Sequence, residues 1–424
     1  MKSKAGKPQM DRRRFLKVAG LTVAAANVPL FTRRVSAQSS SIKVAHQIDL
    51  TGLLALYSPW QVKALQAAVQ RINRAGGIGG REVVLITEDA ESKVATGVRV
   101  MRKFIERDGA DFVIGSHLSG TGLACAPIAQ ETKTPYFPSG SSTLITGEKG
   151  NRYVFRISPS IRQEVRSVHK WAVANLGKRW TTFGVDIAFG QDQALEWGNH
   201  VKLAGGTIVE QILIPLGVEN MVPYLSRIKP GETEVLQHTL TGALPLSFAT
   251  QAKGIGLIGK VKMMGSYDSY EGMDVKPFEG DYFVTPYPRR HEDVPSRLKP
   301  YDRVLRDAVN MDDEGNEKGT GKIAASAHHY IDWQALYLIK AGIEKSGWKS
   351  RKDNPEFIQA LEGMRLKGSD AFPQGDALMR AEDHQLFQSM YVEQVRGGRL
   401  RVVKEMPLEE GMYPAFVDFR KMSF

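Results

Sequence analysis

Phe112-Val113-Ile114-Gly115-Ser116-His117-Leu118-Ser119-Gly120-Thr121 is the stretch on which the fold turns. A short apolar run ends in a small, polar turn, and a helical pattern begins near Gly122. Strand, turn and helix make half of a βαβ unit. Upstream, 42–48 reads as a strand, and 57–75 places Leu65, Ala68, Val69 and Ile72 at helical spacing. The glycines of 76–80 end that helix, 82–87 is a second strand and 94–107 a second helix. Downstream, 122–132 is a helix and 135–137 a short strand.

The alternation then restarts. Strands are expected at 153–157, 181–186, 207–214, 235–238 and 261–264, and helices at 161–176, 194–204, 221–228 and 244–256. Two successive series predict an α/β protein of two similar lobes, each with a parallel-sheet core covered by helices. The segment 276–321 is rich in Pro, Gly and charge and reads as loops. Helices are expected at 324–346 and 356–364, and a hairpin at 390–394 and 400–405 across Gly397-Gly398.

The chain has 424 residues, with 57 Lys+Arg, 46 Asp+Glu and a formal net charge of +11. Residues 1–37 hold nine basic residues and one acid, a balance of +8. The remainder holds 48 basic and 45 acidic residues, or +3. That near balance argues against a nucleic-acid partner, since phosphate binding needs clustered positive charge. The single Cys125 excludes an internal disulfide.

Residues 1–37 have the layout of an export signal. Asp11-Arg12-Arg13-Arg14-Phe15-Leu16-Lys17 precedes an apolar run over 18–31, and Val35-Ser36-Ala37 has the small residues of a cleavage site. The run falls short of the roughly 20 apolar residues that span a bilayer. The arginine pair resembles a twin-arginine signal, which implies the twin-arginine export machinery as a partner. The expected product is periplasmic and starts near Gln38, after Ala37.

Several motifs invite chemistry and are better read otherwise. Gly254-Ile255-Gly256-Leu257-Ile258-Gly259 has the spacing of a dinucleotide fingerprint, but a helix precedes it and a strand follows, the reverse of the required order. His328-His329 lack a usual metal-ligand spacing and read as structural. Cys125 lies in an apolar helical pattern and reads as core. Ser119 lacks the Gly-x-Ser-x-Gly elbow of a hydrolase nucleophile. No catalytic residue, metal ligand or cofactor is expected.

Anion binding is the better use of the opening stretch. Ser119-Gly120-Thr121 stands at a helix start, where free backbone N–H groups and hydroxyls can hold a carboxylate. A second small turn, Pro138-Ser139-Gly140-Ser141-Ser142-Thr143, follows the next strand. Either turn alone also reads as a plain cap. Together, after neighbouring parallel strands, they would converge at the carboxyl edge of one sheet, where open α/β folds bind ligands.

Several segments resemble the periplasmic branched-chain amino-acid-binding (Leu/Ile/Val-type) family of ABC transporter substrate-binding proteins. They are Asp49-Leu50-Thr51-Gly52, Ile72-Asn73-Arg74-Ala75-Gly76-Gly77-Ile78, Glu88-Asp89-Ala90-Glu91-Ser92, Gly109-Ala110-Asp111-Phe112-Val113-Ile114-Gly115, Ala126-Pro127-Ile128-Ala129, Thr134-Pro135-Tyr136-Phe137 and Phe155-Arg156-Ile157-Ser158. The resemblance implies two Rossmann-like lobes joined by a three-strand hinge, the type I periplasmic binding fold. Lobe one would be 42–157 plus 287–366, and lobe two 158–286 plus 367–424.

The resemblance also implies binding without chemistry, in a cleft that closes on one small molecule before docking on an ABC transporter permease. Ser119, Thr121, Ser141 and Ser142 match the carboxylate turns. Tyr57 and its neighbour Trp60 match the side-chain pocket. Phe189 stands where the family usually has Tyr, and Thr241 near an aromatic position. Asp268, beside Tyr267, is the candidate for a ligand ammonium, with an ordinary loop acid as the alternative. These departures leave an amino acid or related small carboxylate as the expected ligand. A ligand-sensing receptor of the same fold, binding an aromatic carboxylate or amide, is the competing expectation.

Overall fold

The computed structural model describes residues 41–424. The export segment and its cleavage site lie outside the described residues. Among the described residues, no helix is long and apolar enough to cross a membrane.

The first lobe alternates as expected: β1 (Ile42–Ile48), α1 (Ser58–Arg74), β2 (Val83–Asp89), α2 (Val94–Arg102), β3 (Phe112–Ile114), α3 (Ser119–Glu131) and β4 (Tyr136–Phe137). Its sheet is parallel with strand order β2-β1-β3-β4. Asn73 pins the end of α1 to β2, its side chain donating to the Val83 carbonyl and accepting from the Val83 N–H, both at 2.9 Å. Gly77 follows at φ +79, where a Cβ would stand 2.0 Å from the Arg81 carbonyl, so only glycine fits.

The second lobe holds α4 (Ile161–Asn175), β5 (Arg179–Val185), α5 (Ala188–Leu203), β6 (Thr207–Ile214), α6 (Val222–Leu225), β7 (Val235–Thr239), α7 (Leu244–Gly254), β8 (Lys262–Ser266) and β9 (Tyr282–Thr285). After α8 (Lys299–Ala308), α9 (Ser326–Ser346) and α10 (Asn354–Leu361) come the short strands β10 (Arg365–Leu366), β11 (Ala377–Met379) and β12 (Leu386–Gln388). The hairpin of β13 (Met390–Arg396) and β14 (Arg399–Met406) completes a seven-stranded sheet, β14-β13-β9-β8-β7-β5-β6. Trp180 of β5 stacks on Trp197 of α5 with centroids 5.2 Å apart, seating that helix on the second sheet.

The structure corrects the reading of 276–321 as loops, because β9 and α8 lie inside it. β9 has four residues, too few for a period to register. In α8 the inward face carries a fully buried pair, Arg306 donating to Asp302 at 2.7 Å. Charge on a buried face hides helical periodicity. The helix expected at 221–228 is one turn, and the strand at 153–157 is extended chain with isolated bridges at Val154 and Arg156. Ala377, Met379 and Leu386 join the core of the first lobe.

One buried group in the second lobe sets a pH dependence. His238 on β7 is fully buried, and neither ring nitrogen has a partner. Burial pushes its pKa down to about 3. Asp281 faces it at 4.0 Å and is itself pushed up by burial. An unfolded His titrates near 6.5, so below that pH the unfolded chain binds the extra proton and His238 costs stability as pH falls. Between pH 6.5 and 5 the wild type should lose about 2 kcal/mol relative to His238→Phe in urea unfolding. A packing cost shifts the variant's curve without changing this slope, and parallel curves would show that His238 titrates normally.

Candidate functional site

Both sheets change winding direction at one place, between β1 and β3 and between β5 and β7. Ligands in open α/β sheets bind outside the carboxyl ends of strands at such points. The loops after β1, β3 and β4 bring Leu54, His117, Leu118, Ser119 and Ser141 to a cleft. From across it, the loops after β5, β7 and β8 bring Ile187, Phe189, Thr241 and Asp268. The cavity between them is about 20 Å³, against roughly 300–1,000 Å³ for a small-molecule pocket. The lobes are closed on each other.

Helix α3 starts at Ser119, not near Gly122 as expected, so Ser119-Gly120-Thr121 form its first turn. Helices α3 and α5 both begin at this cleft, and neither has a side-chain cap among the described residues. Free N–H groups at helix starts favour an anion. Gly115 makes the turn possible: at φ +93, a Cβ would stand 1.8 Å from the Gln47 carbonyl. The Ser119 hydroxyl accepts from the Ser142 N–H at 3.2 Å, tying the two polar turns together.

Of the ten residues expected at the site, Ser119, Ser141, Phe189, Thr241 and Asp268 line the cavity. Ser142 stands beside it with a buried hydroxyl that lacks a partner. Thr121 turns away and packs on Gly97 of α2. Trp60 lines a separate groove with Leu56, Lys63 and Gly272. Tyr267 is fully buried behind the cavity, its hydroxyl without a partner. Tyr57 bridges the lobes: its hydroxyl donates to the Asp268 carbonyl at 2.7 Å, accepts from the Gly242 N–H at 2.9 Å and lies 3.2 Å from the Thr241 hydroxyl.

The charged centre combines three segments. His117 and His328 reach Asp268 Oδ1 with Nε2 at 3.3 and 3.0 Å. Burial would raise the Asp268 carboxyl, but hydrogen bonds from both imidazoles outweigh it and hold it well below the usual range. Burial lowers His117 too, yet Asp268 reverses the sign and its pKa is raised. His328 is lowered to about 4, by burial first and then by the neighbouring His117, against the pull of Asp268. Asp268 thus favours the charged form of His117, while burial favours the neutral form of His328. Tyr57 stacks on His328 with centroids 4.3 Å apart.

His117 and His328 were not among the expected site residues. His117 sits in the opening stretch, where its position two residues before Ser119 was the available signal. His328 reads with His329 as structural in the sequence, because only the packing of α9 against the second lobe brings it to Asp268. Arg156 is a further residue missed. It is fully buried and donates to the Ser141 carbonyl at 3.1 Å, to the Ser142 carbonyl, and to Gln385 Oε1 at 2.6 Å.

A family described as periplasmic binding protein matches residues 41–399. Leu/Ile/Val-binding protein homolog 8 of Brucella suis biovar 1 (strain 1330) is 27% identical over 244 residues, which is 55% of this chain and 60% of that protein. Homolog 7 of Brucella abortus (strain 2308) is 25% identical over 224 residues, 50% of this chain and 56% of that protein. The matches thus span about 60% or less of these relatives' length.

Among solved structures, a solute binding protein of an ABC transporter from Rhodopseudomonas palustris BisB5, in complex with 3,4-dihydroxybenzoic acid, superposes with a TM-score of 0.74 at 21% identity. The match covers 87% of this chain and 98% of that one. A leucine binding protein from Thermotoga maritima MSB8 gives 0.74 at 19% identity, covering 87% and 99%. At such identities the likeness is one of fold.

Proposed function

The chain belongs to the periplasmic binding protein family, and from that premise we propose that it is the exported, periplasmic solute-binding component of an ABC importer. Its ligand in this reading is an amino acid or related small carboxylate, held between the lobes and delivered to a membrane permease. Binding proceeds without covalent chemistry. The twin-arginine route delivers the folded chain, and the lone Cys125 suits a protein that needs no disulfide outside the cytoplasm.

One observation carries the reading: two uncapped helix starts, α3 and α5, meet at one cleft from opposite lobes, with the Ser119 and Ser141 turns beside them. Such an arrangement supports a carboxylate ligand by its electrostatics. The closed cavity is too small for such a ligand, so the lobes must open to admit it. The bound ligand then favours a closed form wider than this one, by its greater affinity for that form than for the open one.

A second reading, an aromatic carboxylate or amide sensed or transported in the same cleft, is favoured by the Tyr57–His328 stack and by Phe189 at the pocket wall. Fold relatives from Rhodopseudomonas palustris are described in complex with benzoate and with 4-hydroxybenzoate. A thermal-shift panel of amino acids, aromatic acids and amides separates the two. A true ligand at a hundredfold excess over its dissociation constant adds about 2.7 kcal/mol. Ser119→Ala should then weaken a carboxylate ligand roughly tenfold or more, the worth of a hydrogen bond to a charged group. A panel without a single hit, or unchanged affinity in Ser119→Ala, would defeat the proposed site.

A further inference from the structure

We propose that the cleft binds a divalent transition-metal ion of the zinc class through His117 Nε2, His328 Nε2 and one carboxylate oxygen of Asp268. The inference rests on the reading of the cleft as a ligand site and makes the metal part of what the cleft recognises.

The three ligand atoms come from three separate segments, the turn after β3, the first turn of α9 and the loop after β8, and all are buried. They lie within 4.8 Å of one another. The two imidazole nitrogens stand 3.0 and 3.3 Å from the same oxygen. Bonds of roughly 2.0–2.1 Å at tetrahedral or octahedral angles put ligands on one ion about 3.0–3.4 Å apart. Two imidazoles and a carboxylate are a donor set suited to zinc and its neighbours.

Coordination requires each ring to carry its remaining proton on Nδ1. In both His117 and His328, Nδ1 has no hydrogen-bond partner among the described residues, so the bond from Nε2 to Asp268 is what holds the present tautomer, and an ion in that place would remove it. A proton on Nε2 of either ring must leave, or move to Nδ1, when the ion binds.

The site also has an open side. His117 and Asp268 line the residual cavity together with Ser119 and Ser141. About 20 Å³ is room for one water. Three protein ligands with a small cavity at the fourth position match the layout of open zinc sites. A water in that space would supply the fourth donor in the closed form, and a small acid would take its place only with the lobes further apart. Because His117 and His328 belong to the first lobe and Asp268 to the second, the ion would clamp the closed form.

Cobalt(II) is a suitable probe, since its visible bands report coordination number and nitrogen ligation. The chain from residue 38 onward, stripped with a chelator, is titrated with cobalt alone. One equivalent should produce intense bands of a four- or five-coordinate ion. His328→Gln and His117→Gln should each lower the affinity at least tenfold, with circular dichroism reporting their folding. His169→Gln, remote from the cleft, should bind cobalt as the wild type does. Absence of bands, or equal bands in the cleft variants, overturns the proposal. Repeating the small-molecule panel in excess chelator separates the two readings. A ligand that binds equally well there, with no cobalt bands, sinks the metal site and leaves the solute-binding function intact. Cobalt bands with an empty panel sink the carboxylate reading alone.

Discussion

Arg156→Ala is expected to lower the unfolding free energy by about 3–5 kcal/mol, the cost of leaving several buried acceptors without their donor. Arg156 is fully buried where the chain passes from the first lobe to the second, paired with the returning segment through an Arg156–Gln385 bridge. Burial pushes its pKa down, while Asp192, Asp383 and Glu164 favour its charge. Truncation leaves the Ser141 and Ser142 carbonyls, Gln385 and Thr146 without the donor they share. Each buried acceptor left unpaired costs about 1–3 kcal/mol. The Ser141–Ser142 turn loses its anchor at the same time, so affinity for a small carboxylate should fall with stability. Arg156→Lys keeps the charge without the fork and should lie between. Urea unfolding with calorimetric titration tests both effects. A loss under about 1 kcal/mol would show that the acceptors find other partners.

Asp268→Ala should cost about 3 kcal/mol or more, because it leaves the buried imidazoles of His117 and His328 without the acceptor they share. The charge of His117 depends on this carboxylate. Part of the cost should therefore vanish when His117→Gln removes the stranded group. A double-mutant cycle in urea is expected to return a coupling of about 1–3 kcal/mol between the two positions. Additivity within about 0.5 kcal/mol would dissolve the pair. Tyr57 is undisturbed in this experiment, since its hydroxyl bonds the main-chain carbonyl of Asp268 and not its carboxylate.

The α/β alternation was legible because strand and helix differ in period and the glycine turns between them are explicit. The four strands of the first sheet and most of the second were readable in this way. The failures have two causes. β9 is too short to show a period, and α8 hides its inward face behind the buried Asp302–Arg306 pair. The polar turns at Ser119 and Ser141 announced themselves by composition. The place of Thr121 against α2, and of Trp60 in another groove, did not, because adjacent residues in a helix point in different directions.

Local sequence determined the elements, the two-lobed α/β class and the small-residue turns at the strand ends, all set by contacts over a few residues. Tertiary structure decided what those turns face. His117, Asp268 and His328 are separated by 151 and 60 positions along the chain, and no periodicity reaches that far. Their charges and protonation follow from burial and mutual distance, which exist only once the two lobes meet.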